Sequence, residues 1–178
     1  MNQDDQSSTA FIIRQRRDSD IPAAADGLIK VHAVDGYPVE GVSQPESWLT
    51  PPGMITSWIA EQSGTVIGHV AISRADEEEA VSFWINLNQE SKEKVAVLAR
   101  LFVVPEARKK SVGERLMREA VDYANRRGLR LVLDVLTKDA SAIRLYERMG
   151  WTQIGTAIHA YGAGQQAQAL CFVSPPSD

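Results

Sequence analysis

Apolar positions along this chain change period several times. They pass from short solid runs to spacing by four and back. The stretch Leu101 to Ala124 shows both patterns side by side. Leu101, Phe102, Val103 and Val104 form a buried-type run that predicts a strand. Pro105 ends it, because proline brings no N–H to a ladder. Val112, Leu116, Ala120 and Ala124 then recur every four residues, with Met117 and Val121 beside them, and predict an amphipathic helix. Between the two lie Arg108, Lys109, Lys110, Ser111, Val112 and Gly113. The first N–H groups of a helix lack an intrahelical partner, and the helix dipole makes that end positive. Three cations and a glycine there predict an anion site, with phosphate or pyrophosphate as guest.

The rest of the chain follows the same reading. Phe11 to Arg16 predicts a first strand. Asp18 to Asp20 can cap a helix from about Ile21 to Val34, with Pro22 in its first turn. The Gly- and Pro-rich stretch from Val34 to Gly53 is a long connection with a short helix near Pro45 to Leu49. Within it Asp35, Tyr37, Glu40 and Trp48 suit either a substrate pocket or a surface loop with an aromatic anchor. Ile55 to Glu61 and Val66 to Ser73 predict two strands, and Gly64 in their short link predicts a hairpin. Asp76 and Glu79 have capping-box spacing, which predicts a helix from Glu77 to Leu87. Val81, Phe83, Ile85 and Leu87 also alternate, so a strand fits the same residues. Lys94 to Val104 is the central strand. Arg126, Arg127 and Gly128 stop the long helix. A strand from Leu129 to Leu136, a helix from Ala140 to Met149 with Asp139 as N-cap, and closing strands Trp151 to Ala157 and Ala167 to Val173 complete the order. Strands mixed with helices, including a β-α-β-α-β core, imply an α/β sheet with helices against it. The expected organisation is a tail over 1–10, one domain over 11–173 and a short tail over 174–178.

Composition narrows the class. A chain of 178 residues with 44% hydrophobic and 24% charged residues is an ordinary globular protein. No apolar run is long enough to span a bilayer, and the polar, acidic start MNQDDQSSTA is not a secretory leader. The single cysteine, Cys171, excludes an internal disulfide, argues against a Cys-based metal site, and fits a reducing cytoplasm. The net charge of −4 disfavours nucleic acid as a partner. Its distribution is uneven. Residues 105–130 carry +4 and the remainder −8. A basic segment on an acidic protein suits a small anionic ligand.

Two segments resemble the GNAT superfamily, the acetyl-CoA-dependent N-acetyltransferases. LFVVPEARKKSVGERLM is similar to that family's pyrophosphate-loop motif, with Arg108 and Gly113 matching and Ser111 where the first glycine is usual. LDVLTKDASAIRLYERMGW is similar to its later strand–helix motif. Ala142, Ile143, Leu145, Tyr146, Glu147 and Gly150 match, Trp151 replaces Phe, and Asp139 stands where Asn is common. The resemblance implies an α/β fold with a mixed, mostly antiparallel twisted sheet of about seven strands. That sheet has a central V-shaped splay and four or five flanking helices.

The resemblance also implies roles. Backbone groups of Leu101, Phe102 and Val103 would pair with the pantetheine arm of acetyl-CoA. The loop Arg108, Lys109, Lys110, Ser111, Val112, Gly113 and Glu114 would hold the pyrophosphate. Asp139 and Ser141 fall at cofactor-side positions. Tyr146 would protonate the leaving thiolate, its other reading being a helix aromatic packed on the core. Asp35, Tyr37, Arg100 and Asp134 are substrate-side candidates, and Arg100 suits a substrate carboxylate or a neighbouring acid. Many relatives carry a Glu base on the central strand where this chain has Val97, flanked by Ala96. Asp35, Glu40, Glu93 and His69 are weak substitutes, and His69 reads first as a structural histidine. Loss of the ammonium proton to water is the remaining route.

The expected activity is acetyl transfer to a primary amine of a small molecule or a protein N-terminus, without metal, nucleic acid or membrane. A homodimer is compatible. The alternative is an acyl-CoA-binding domain with a sensing role. A nucleotide-binding P-loop is disfavoured, since the Gly-Lys-Ser/Thr ending is missing.

Overall fold

A computed structural model describes residues 10–177. Among them lie, in chain order, β1 (Ile12–Gln15), α1 (Ile21–Asp35), α2 (Pro45–Trp48), β2 (Met54–Gln62), β3 (Thr65–Arg74), α3 (Glu79–Asn88) and β4 (Val95–Val103). Then come α4 (Val112–Arg126), β5 (Arg130–Leu136), α5 (Ala140–Arg148), β6 (Thr152–Tyr161) and β7 (Gln165–Val173). Hydrogen bonds link the strands in the order β1-β2-β3-β4-β5-β7-β6. The fold is mixed α/β on a mostly antiparallel seven-stranded sheet, as the resemblance implied. The N-terminal tail expected over 1–10 lies almost wholly outside the described residues.

The described residues group into two compact units, one running up to Ala71 and resuming at Arg100–Glu119, the other holding Ile72–Ala99 and the described chain from Ala120 on. In the first, β1 pairs antiparallel with β2 from Ile12↔Glu61 to Gln15↔Trp58. Ser63 (φ 50) and Gly64 (φ 77) make the two-residue turn from β2 into β3. Two left-handed residues in a row twist a hairpin in the sense its strands require. Helix α1 buries Ala24, Ala25, Leu28 and Val31 against Leu49, Ile59, Val66 and Phe102. Gly27 lets it lie close, since a Cβ there would stand 3.2 Å from Val104 Cγ1. The expected aspartate cap of α1 is replaced by an ion pair. Asp20 sits at the N-cap without capping the helix and instead accepts two bonds of 2.8 Å from Arg14. A guanidinium fork outcompetes a helix amide for a carboxylate.

In the second unit β4 runs parallel to β5 over Val95↔Arg130, Ala96↔Leu131 and Val97↔Val132. Strand β7 pairs antiparallel with β5 on one side and β6 on the other. The residues from Glu79 to Asn88 are helical, not a strand. Ala80 and Val81 of α3 join Val95, Val97, Val132, Cys171 and Val173 in one core. The expected capping box does not form. Glu78 is the N-cap, and its carboxylate accepts the amide of Asp76 instead. Strand β6 shifts register between Gln153 and Gly155, and a Cβ on Gly155 would meet the Phe83 ring at 2.8 Å. The closing hairpin is longer than expected. The residues between the two expected strands, 158–166, are themselves largely strand, and the left-handed Gly162 and Gly164 make the tip.

Helix α4 starts against β3 because of Gly68. A Cβ there would lie 3.0 Å from Leu116 Cδ1, 3.1 Å from Val112 Cγ1 and 3.1 Å from the Phe102 carbonyl. Gly68→Val should therefore destabilise the fold by about 1–3 kcal/mol, read as a lowered urea midpoint. An unchanged midpoint would contradict this packing.

Candidate functional site

The turn after β4 is built from backbone conformation as much as from charge. Residues Pro105–Ala107 form a short 3-10 turn, and Ala107 N–H closes on the Val104 carbonyl at 3.0 Å. Lys109 (φ 63) and Ser111 (φ 65) then adopt left-handed conformations. Both carry a Cβ, so each costs on the order of 1 kcal/mol or more. The glycine at 113 is not the left-handed member. It lies inside α4, and Ser111 takes a conformation that a glycine would adopt easily. The first helical bond runs from Arg115 N–H to the Ser111 carbonyl at 3.1 Å. The amides of Ser111, Val112, Gly113 and Glu114 thus head the helix without helical partners. Lys109 and Lys110 are exposed and form no ion pair among the described residues. Left-handed turns that gather free amides at a helix start make an anion cradle.

Arg108 is held differently. Its Nε donates to the Val103 carbonyl at 3.2 Å and its Nη2 forms an ion pair with Asp35. It braces the loop to the end of α1. Asp35, expected on the substrate side, is thereby a loop partner. Lys30 and Glu106 add an exposed pair at 3.4 Å, and Glu114 pairs with Arg118 one turn along α4.

A second cluster centres on His69 of β3, whose imidazole has no solvent exposure and stacks on Phe102 at 5.5 Å. Its Nδ1 lies 2.9 Å from the Arg100 carbonyl and its Nε2 3.0 Å from Arg16 Nη1. A carbonyl only accepts and a guanidinium only donates, so Nδ1 bears the hydrogen and Nε2 accepts. Burial lowers the pKa to about 4, and the nearby charges of Arg16 and Arg100 push the same way against the bond to the carbonyl. With both nitrogens engaged, His69 is a structural histidine and offers no base. Arg100 itself is left-handed at φ 60 in the middle of β4. That kink re-aims its side chain. Its Nε donates to the Trp48 carbonyl at 2.9 Å and its guanidinium lies 4.6 Å over the Trp48 ring. The Tyr37 ring lies perpendicular to that of Trp48, with centroids 5.7 Å apart. Tyr37, Trp48 and Arg100 thus come together, whereas no neighbouring acid pairs with Arg100 among the described residues. Arg16 was not singled out by sequence. Its signal was a cation closing an apolar strand.

In the second unit Tyr146 is buried on α5, 5.9 Å from Phe172 and 6.1 Å from Trp151. Burial first, then the charges of Asp139 and Asp134, push its hydroxyl pKa above the ordinary tyrosine range. It is fully protonated at neutral pH. Asp134 is an exposed residue of β5 opposite Cys171. Asp139 holds the N-cap position of α5 but its side chain makes no capping bond. Ser141 is exposed and accepts from Arg144 at 3.2 Å. Among the described residues no three His, Cys, Asp or Glu gather as a metal site. None of the helices formed by those residues is long and apolar enough to cross a membrane.

Residues 27–151 match the family model described as acetyltransferase (GNAT) family. The chain belongs to the GNAT family. It is 32% identical over 107 residues to an uncharacterised N-acetyltransferase of Methanocaldococcus jannaschii, covering 60% of this chain and 43% of that one. It is 31% identical over 102 residues to an uncharacterised N-acetyltransferase, YhfO, of Bacillus subtilis, covering 57% and 61%. The aligned part thus spans about half the length of these curated relatives. In structure it resembles YncA, a putative acetyltransferase of Salmonella typhimurium with its cofactor acetyl-CoA. That match has a TM-score of 0.68 and 16% identity, and covers 92% of both chains.

For a GNAT chain, the central-strand position often held by Glu is here apolar and closed. Val97 is 5% exposed and Ala96 fully buried. Of the other carboxylates considered, Asp35 is ion-paired and Glu93 lies in the exposed turn Lys92–Lys94.

Two outcomes follow from this geometry. Ser111→Gly should remove a strained conformation and raise stability by about 1 kcal/mol in urea unfolding; a lowered midpoint would contradict the left-handed assignment. Because the folded pKa of His69 is depressed, the unfolded chain takes up its proton first as pH falls. Stability should drop between pH 6.5 and about 4, by up to about 3 kcal/mol. His69→Gln, though less stable near neutrality, should lose that part of the slope; an identical pH profile would refute it.

Proposed function

We propose that this chain transfers an acetyl group from acetyl-CoA to a primary amine, of a small molecule or a protein N-terminus, by direct attack in a ternary complex. The observation that carries the reading is the anion cradle from Lys109 to Glu114, two left-handed residues ahead of the free amides of α4. A pyrophosphate matches that donor set. Lys109 and Lys110 supply charge and the amides supply direction, while Arg108 keeps the loop in place. The backbone of Leu101, Phe102 and Val103 would pair with the pantetheine arm. Asp139 and Ser141 would lie on the cofactor side.

In the reaction the amine nitrogen bonds to the thioester carbon and the carbon–sulfur bond breaks. The leaving thiolate needs a proton, which we assign to the Tyr146 hydroxyl. Its burial keeps it protonated at neutral pH and so able to donate. With Val97 where a Glu would stand, the ammonium proton leaves to water before attack. The reading sets the reaction in the cytoplasm, supported by the lone, buried Cys171.

Calorimetric titration with acetyl-CoA, with ATP as control, should show saturable binding of the first alone. Tyr146→Phe should then lower kcat by about 100-fold while leaving acetyl-CoA affinity within about twofold. An unchanged kcat would remove the acid assignment. Binding without turnover of any amine in the wild type would favour the alternative, a domain that senses acyl-CoA.

A further inference from the structure

Two half-buried guanidinium groups of the first unit converge on the end of α2, and that of Arg16 also bonds the His69 imidazole. Arg16 Nη1 donates to the Leu49 carbonyl at 2.6 Å and to His69 Nε2 at 3.0 Å, and its Nη2 reaches only the sulfur of Met54 at 3.9 Å. Arg100 spends Nε on the Trp48 carbonyl and one face on the Trp48 ring. Neither guanidinium meets a carboxylate among the described residues; Asp18 and Asp20 act on Arg16 only through space. Nearby, Asp20 is taken by Arg14. Half-buried cations whose partners are neutral can be stabilised by an anion that joins them. The left-handed backbone at Arg100 is strained; its carbonyl accepts from His69 while its guanidinium is delivered to Trp48.

We propose that the two terminal nitrogens of Arg100, backed by the charge of Arg16, bind a carboxylate on the acceptor, so that the acceptor is a small amino acid-type amine. The inference rests on the acetyl-transfer reading for its direction. With pyrophosphate at Lys109 to Glu114 and the arm running back along Val103 and Leu101, the thioester end arrives at the Arg100 end of β4. A guanidinium fork matches a planar carboxylate in two parallel bonds. Trp48, with Tyr37 edge-on to it, supplies an apolar wall beside that fork. A peptide N-terminus carries an amide where this acceptor carries its charge, so the site separates the two acceptor classes.

The test compares L-amino acids with their α-carboxamides as acceptors, under saturating acetyl-CoA. The wild type should favour the acids by about 10-fold or more in kcat/KM, the scale of a lost charged hydrogen bond. Arg100→Gln should erase the preference through KM and leave acetyl-CoA affinity unchanged. Arg100→Lys, which keeps the charge without the fork, should restore part of it. Equal or better use of the carboxamides, a preference that survives Arg100→Gln, or a stronger preference for aminoalkylphosphonates would overturn the carboxylate assignment. A second arm needs no turnover. N-acetylglycine, but not N-acetylglycinamide, should shift the Arg100 Nε–H signal in heteronuclear NMR, and no shift from either would overturn the site. Absence of acetyl-CoA binding would defeat the transfer reading alone, leaving this arm to decide the carboxylate site.

Discussion

The imidazole of His69 is the constraint on which the first unit's chemistry depends. It is fully buried, and each nitrogen has one role. Its N–H fixes the Arg100 carbonyl, and with it the left-handed turn inside β4. Its lone pair accepts from Arg16, which carries on to the Leu49 carbonyl. A second proton on the ring would set N–H against N–H, so the neutral form is enforced by geometry as well as by burial. His69 on β3 thus ties β4 to Arg16, the residue after β1, and through Arg16 to Leu49 after α2. The same group is thereby disqualified as a catalytic base.

Backbone strain recurs where the functional reading falls. Arg100, Lys109 and Ser111 are left-handed residues with side chains, and all three sit on β4 or the loop that follows it. Each is held by neighbours: His69 at Arg100, and the Arg108 brace to Val103 and Asp35 at the loop. Gly68 adds to this by letting the first turn of α4 rest on β3. The loop is therefore braced with its amides set in place, and on the proposed reading this would lower the ordering cost of binding a pyrophosphate.

The helices and strands were legible wherever a single face is buried. Val112, Leu116, Ala120 and Ala124 predicted α4, and all four are 2% exposed or less. The ambiguous stretch around Val81 resolved to a helix because Ala80 and Val81 face one core. Caps were misread at Asp20 and Asp76, since sequence spacing does not show that an arginine or another acid's partner competes for the same group. The basic loop was visible as a proline stop followed by cations. Its left-handed residues were not, because neither is glycine. The His69 cluster was hidden for another reason: its partners lie far apart in sequence, Arg16 by 53 residues and Arg100 by 31. Tyr146, singled out by its motif, packs beside Phe172 and Trp151, as its other reading of a helix aromatic on the core expected.

The most direct test of this account is heteronuclear NMR of the His69 ring nitrogens across pH. The account predicts one protonated nitrogen, Nδ1, in a neutral ring that persists well below the usual histidine range, toward pH 4. An imidazolium signal at neutral pH, or a hydrogen on Nε2 instead, would contradict the arrangement that holds Arg16 and Arg100 together.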